Sequence, residues 1–308
     1  MPINAKQRRE SREADPGAAL ECIIAQNLIE LKHITPTKRC LSKQSRDRAA
    51  VDRIDINLKE QFESAAVKIV EFIKDKFISD SAYEIDRTED NDDSVEDIVL
   101  QNKDEKINFS IKHNNDSIKH NRPFSLVSNG LGFKKGSLED IEHRHRLIKK
   151  CDELRINFPL ASRFSDLPMN TKEDLYFQLV DECRKSLEKY KKDTKAVSNL
   201  FNFIMGKNYL KIKVLTRRKK NNFVILFEDF REDSPQPKSF EITSPWKGQR
   251  KGNKCASWNF EVIFDNGYKF THRIHNASSR INQKNHSQLS VKFDVKFTED
   301  SARGKQII

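Results

Sequence analysis

Two short apolar runs joined by six polar residues constrain this chain more than any other stretch of it. Glu96-Asp97-Ile98-Val99-Leu100 leads into the polar turn Gln101–Lys106, and Ile107-Asn108-Phe109-Ser110-Ile111-Lys112 follows, alternating apolar and polar at period two. That alternation belongs to a strand with one buried face, and two such strands across a polar turn read as a hairpin. Successive strand side chains point to opposite faces, so Ser110 and Lys112 share a face while Ile111 turns into the core. Asp97 and Lys112 fall on the two strands, 15 residues apart.

Helical period surrounds the hairpin. Leu20, Ile23, Ile24, Leu28 and Leu31 repeat at three and four, with polar Asn27 the one flaw, and Leu58 to Ile73 carry a second stripe over 58–78. Residues 1–17 are polar and expected to be a disordered tail. Residues 34–57 are basic and poor in large apolar side chains, and 86–96 are acidic; both read as loop. Residues 137–155 and 171–206 read as helices, linked by the Pro-punctuated connector Asn157–Pro168. From Tyr209 strands return, at 210–215, 223–227, 240–242, 258–264, 268–274 and 289–297. Asp265-Asn266-Gly267 is a hairpin turn, because Asn and Gly accept positive φ. The class is mixed α/β (α+β), divided as tail 1–17, core 18–135, helical region 136–208 and a β-rich end 209–308 packed on the same core.

Composition narrows the partners. Lys and Arg outnumber Asp and Glu by 57 to 46, a net +11 that suits a polyanion or simply a soluble basic protein. Five scattered cysteines without a C-x-x-C pair indicate neither a zinc knuckle nor a disulfide framework. The charged start lacks an apolar leader core, and no apolar run reaches 18 residues, so a reducing cytoplasm fits best.

Phosphodiester hydrolysis needs a divalent metal, a nucleophilic water and stabilisation of added negative charge. A hairpin can supply these with Asp97 on the metal, Lys112 near the water and Ser110 beside them, the Ile111 carbonyl being a further metal ligand. On spacing alone the pattern is common by chance, and a strand lysine is usually a solvated edge residue. The pentapeptide Ser-Ile-Lys-His-Asn, however, occurs at 110–114 and again at 117–121. The duplication sets His113, Asn114, Asn115, Lys119, His120 and Arg122 beside the hairpin as phosphate and base contacts. For His113 and His120 the alternatives are a metal site, for which no third ligand stands at a suitable spacing, and plain surface polarity.

The hairpin from Asp97 and the run Phe109 to Pro123 resemble the PD-(D/E)XK core of the HaeIII-type restriction endonucleases. Phe264-Asp-Asn-Gly-Tyr268, Arg273 to Arg280 and Val291-Lys-Phe-Asp-Val295 are similar to the same family, as are Gly17-Ala-Ala-Leu-Glu21 and Phe203 to Tyr209. The resemblance covers about residues 17–297 and implies a nuclease core at 18–135, a mixed central sheet flanked by helices with a β-rich C-terminal region for DNA recognition. It makes Asp97 the Mg²⁺-binding aspartate, Lys112 the catalytic lysine and Glu21 the helix carboxylate assisting metal or water. Ser110 departs from the pattern, standing where an acid is usual; a hydroxyl is a poor Mg²⁺ ligand, so either Glu21 first, and Glu63 second, would replace it, or the site holds one metal only.

The implied activity is a type II restriction endonuclease cutting double-stranded DNA at a short palindrome, GGCC by resemblance, with a cognate methyltransferase protecting the host. Monomer and homodimer stay open. A repair nuclease without sequence specificity would keep the same pair, and a non-catalytic DNA-binding protein would explain Ser110. Arg273, His275, Asn276 and Ser278 are candidate base readers, since Arg pairs with guanine and Asn with adenine; the alternative is that Arg273 and His275 merely face solvent. Lys247 and Gln249 begin the Gly-interrupted basic stretch 246–254, which reads as a phosphate-tracking arm or a solvated loop, and Arg217–Lys220 as a basic hairpin tip.

Overall fold

A computed structural model describes residues 5–79, 81–88, 95–115, 117–206, 209–217, 222–230, 235–249, 255–298 and 306–307. The chain opens with α1 (Ala5–Ile29), β1 (Ile34–Pro36), α2 (Lys38–Arg53), α3 (Ile56–Phe77), β2 (Tyr83–Arg87), β3 (Ile98–Gln101), β4 (Lys106–His113) and β5 (Lys119–Asn121). Three helices follow: α4 (Leu138–Asn157), α5 (Met169–Glu188) and α6 (Thr194–Met205). Then come β6 (Tyr209–Arg217), β7 (Asn222–Phe230), β8 (Phe240–Ile242), β9 (Trp246–Lys247), β10 (Trp258–Phe264), β11 (Lys269–Asn276), β12 (Val291–Phe297) and β13 (Gln306–Ile307). The mixed α/β class expected from the sequence is the one observed.

The chain divides into two interleaved units, 1–116 with 206–233 and 302–308, and 117–205 with 234–301. The boundaries expected at 135 and 208 therefore move. Strand pairing moves them: β6 and β7 join the N-terminal sheet, while β8 to β12 share a unit with the helices.

In the first unit the strand order is β1-β2-β3-β4-β6-β7-β13. The pairs β1–β2 and β4–β6 are parallel and the others antiparallel. The hairpin forms as read, with Ile98 opposite Phe109, but β4 is buried on both faces rather than one, because Asn108 and Ser110 are covered as well. Ile107, Phe109 and Ile111 share a core with Leu210, Ile212 and Val214 of β6 and with Leu20, Ile24 and Leu28 of α1 and Phe62, Ile69 and Ile73 of α3. Asn27, the flaw in the α1 stripe, donates its side-chain amide back to the Ile23 carbonyl at 2.9 Å.

Three loop or tail expectations are corrected here. From Ala5 the expected tail is helical, in keeping with the high helix propensity of its Ala, Lys, Gln, Arg and Glu. Residues 34–57 hold β1 and α2, whose first turn is capped by Thr37 accepting from the Cys40 amide. That helix buries Cys40, Lys43, Gln44 and Ala50, a face without large apolar side chains. Asp86 and Arg87, read as loop, end β2, while 89–94 lie outside the described residues.

The second unit holds an antiparallel sheet, β5-β12-β11-β10-β8, with β9 also on β10. Gly267 takes the positive φ, 90°, that the β10–β11 turn requires. Its core is aromatic: Phe240, Phe260, Phe264, Phe270 and Phe293 are buried, and Phe201 of α6 meets Phe264 edge-on at 5.1 Å. The helix expected over 171–206 breaks at 189–193, where Asp193 accepts from the amides of Lys195 and Ala196 and caps α6.

Candidate active site

The hairpin register places Asp97 against Ser110, and three groups converge on one carboxylate oxygen. Asp97 Oδ2 accepts from the Ile111 amide at 2.6 Å, from Lys112 Nζ at 3.0 Å and from Ser110 Oγ at 3.4 Å. The Asp97 amide itself donates to the Phe109 carbonyl at 2.7 Å, fixing the backbone on which the carboxylate stands. Ser110 and Lys112 thus share a face, as period two requires, and the Ile111 side chain lies in the core. Asp97 and Lys112 keep 21% and 19% of their side-chain surface exposed, so a substrate can reach a pair otherwise enclosed.

Glu21 belongs to the same neighbourhood. Burial, and next the negative charge of Asp97, push its carboxyl up to about 7 against the pull of Lys43, Arg87 and Lys112. Its Oε2 accepts from Arg87 Nη2 at 3.1 Å and lies 3.7 Å from Lys43 Nζ. Glu63, the second acid considered, is exposed on α3 and pairs with Lys59 at 4.0 Å.

Several groups here escape sequence reasoning. Arg87 is fully buried and also donates to Gln44 and Asp47, and Lys43 donates to the Thr88 carbonyl. In β6, Lys211 and Lys213 stand in register with Ser110 and Lys112, and Glu228 of β7 lies 3.0 Å from Lys211 and 3.9 Å from Lys213. The signal available was the run Leu210-Lys211-Ile212-Lys213-Val214: two lysines on one face of a strand whose other face is wholly apolar.

Past Lys112, His113 and Asn114 form a compact knot. His113 Nε2 lies 2.9 Å from Thr216 Oγ1, and Asn114 Nδ2 donates to the same hydroxyl while its Oδ1 accepts from the Thr216 amide. These residues line a pocket of about 370 Å³ with Pro16, Asp55, Asn57, Leu58 and Gln61. Asn115 is half-buried in the same unit.

The other candidate contacts fall in the second unit. The backbone of Lys119–Asn121 is β5, but the side chains of Lys119 and His120 lie outside what is described; Arg122 is exposed. Arg273 is ion-paired with Asp294 at 2.6 Å, and His275 Nε2 lies 3.0 Å from the same carboxylate, so neither simply faces solvent. Asn276 donates to the Ser278 carbonyl and Ser278 Oγ accepts from the Arg280 amide, both holding the turn after β11. Lys247 pairs with buried Glu173 at 2.6 Å, Gln249 is exposed, and the rest of the proposed arm, 250–254, lies outside the described residues, as does 218–220 of the basic tip.

Among the described residues no group of three or more His, Cys, Asp or Glu gathers as for a structural metal. Cys22, Cys40, Cys151 and Cys183 are buried, and burial raises each thiol, which leaves them as core residues. No described helix is long and apolar enough to cross a membrane.

A mixed α/β chain with helices and two sheets is consistent with the restriction endonuclease fold. The family model described as HaeIII restriction endonuclease matches residues 19–299, nearly the whole length, and the chain belongs to that family. It is therefore a nuclease, a hydrolase whose partner is double-stranded DNA. No curated protein and no solved structure matches it.

Proposed function

We propose that this protein is a type II restriction endonuclease that makes Mg²⁺-dependent double-strand cuts at a short palindromic site, GGCC following its family, from a PD-(D/E)XK core. The observation that carries the reading is the Lys112 ammonium of β4, 3.0 Å from the carboxylate of Asp97 just ahead of β3, with Glu21 near enough to feel both charges.

The donor set suits Mg²⁺. Two neighbouring carboxylates, Asp97 and Glu21, plus the Ile111 carbonyl, match an ion that takes one or two protein carboxylates and otherwise keeps water and phosphate oxygens. Asp97 and Glu21 would hold it, and bound there it supplies Lewis acidity to the phosphoryl oxygens and a more acidic water. Lys112, anchored by Asp97, orients the attacking water and carries positive charge beside the developing phosphorane. Ser110 donates to Asp97 and orients that carboxylate rather than replacing the missing acid. In the second unit Arg273, His275, Asn276 and Ser278 are the proposed base readers, with Lys119, His120, Arg122, Lys247 and Gln249 as backbone contacts; His113, Asn114 and Asn115 serve beside the cut. A palindromic target suits a two-fold homodimer, and a cognate methyltransferase in the same cytoplasm would protect the host.

The test is a digest of unmethylated phage DNA with and without Mg²⁺, beside Asp97→Ala. Discrete Mg²⁺-dependent fragments absent with the variant support the reading, and mapped ends give the site. A smear points to a non-specific repair nuclease. Intact DNA with retained binding favours the non-catalytic reading that Ser110 suggests.

A further inference from the structure

Arg87 offers more than a buried ion pair needs. One guanidinium, with no exposed surface, joins three elements: it rises from the end of β2 and donates to Glu21 of α1 at 3.1 Å and to Gln44 and Asp47 of α2 at 2.6 and 2.9 Å. Gln44 in turn donates to the Cys22 carbonyl at 3.0 Å, locking α2 to the residue after Glu21. The backbone of the same strand end reaches the hairpin. Arg87 stands opposite Ile98, and the Thr88 amide donates to the Asp97 carbonyl at 3.3 Å. Lys43 closes the ring, donating to the Thr88 carbonyl at 2.6 Å and lying 3.7 Å from Glu21.

Arg87 is thus tied by its side chain to Glu21 and by its strand to Asp97. Asp47 would neutralise Arg87, and Lys43 stands beside Glu21, so charge balance alone does not require the Arg87–Glu21 bond. Buried ion pairs are often no more stabilising than apolar packing. A planar fork with fixed donor directions does, however, set where a carboxylate stands, which a lysine in the same place would not.

We propose that Arg87, braced by Gln44 and Asp47, is a positioning residue that holds the Glu21 carboxylate at a set distance from Asp97, so that the two act as one divalent-cation site. The proposal rests on the reading of Glu21 and Asp97 as Mg²⁺ ligands.

The experiment measures Ca²⁺ binding to the complex of full-length protein with a cognate duplex by calorimetry, alongside the Mg²⁺ dependence of single-turnover cleavage. The variants are Arg87→Met, Arg87→Lys, Glu21→Gln and the double Glu21→Gln/Arg87→Met. Arg87→Met is expected to weaken Ca²⁺ and raise the half-saturating Mg²⁺ about tenfold, with Arg87→Lys recovering only part of the loss. In the Glu21→Gln background the Arg87→Met change should add less than twofold, because its effect passes through Glu21.

Equal losses in both backgrounds would make Arg87 a general structural residue and overturn the proposal. Unchanged Ca²⁺ affinity in a folded Arg87→Met, with Glu21→Gln impaired, would do the same while leaving the Glu21 assignment intact. An unaffected Glu21→Gln would remove the assignment itself. Should Arg87→Met not fold, Gln44→Met removes one brace; a two- to threefold weakening of Ca²⁺ that disappears in the Glu21→Gln background supports the proposal, and none overturns it.

Discussion

The unit that carries Asp97 buries acidic and basic groups together: Arg87 and Lys43 with Glu21 and Asp47, and Lys211 with Glu228. The other unit, among its rings, also buries two histidines as neutral imidazoles. His143 donates from Nε2 to the Pro123 carbonyl at 2.7 Å, and His272 lies flat on Phe260 at 4.7 Å; burial pushes both down to about 4. The first arrangement keeps charge beside Asp97 and Lys112, where the proposed function needs a phosphate and a cation to be met. The second packs His272 against Phe260 and Phe293 in the sheet that carries Arg273 and Asp294.

The sharpest break between the two is Lys112→Ala. Cleavage should vanish while specific binding without cleavage, measured in Ca²⁺, stays near that of the parent; loss of binding together with the fold would make Lys112 structural.

Next comes acid. Below about pH 6.5 the unfolded chain takes up protons that His143 and His272 refuse when folded. Stability present above pH 6.5 is therefore lost toward pH 4, by up to roughly 3 kcal/mol for each ring. Hydrogen exchange at pH 7.5 and 5 should show the second unit loosening, and His272→Phe should blunt the change. Equal protection at both pH values would contradict the neutral burial.

Arg273→Ala should weaken specific binding by about 1–3 kcal/mol and relax one position of the site. An equal loss on random DNA would demote it to a phosphate contact.

The smallest effect concerns Glu21, whose raised pKa runs the other way: the folded state holds its proton up to about pH 7. A cation must displace that proton, so at limiting Mg²⁺ cleavage should fall about tenfold per pH unit below 7. The slope should disappear in Glu21→Gln, measured as single-turnover rate against pH.

What could be read in the sequence was set by the range of the forces involved. The β3–β4 hairpin and its facing Asp97 and Lys112 were legible because alternation and turn are local. Helix α2 was not, because its buried face is Cys40, Lys43, Gln44 and Ala50, and the two polar residues among them are met by Arg87, Glu21 and the Thr88 and Cys22 carbonyls, all distant in sequence. Arg87 sat unnoticed beside an acidic stretch that read as loop. The partnership of Lys112 with Lys213 depends on two strands far apart in the chain. Asn276 has base-reading chemistry, yet its amide is engaged in its own turn.

The pairing of β4 with β6 has a temporal side. The 95 residues from 114 to 208 must be made before β4 receives its inner neighbour β6, roughly 5–20 s at ordinary elongation rates. Through that interval a nascent chain carries Asp97 and Lys112 on an unfinished edge. A chain that ends in this stretch has Asp97 and Lys112 but lacks β6 and β7, which complete the sheet beside them.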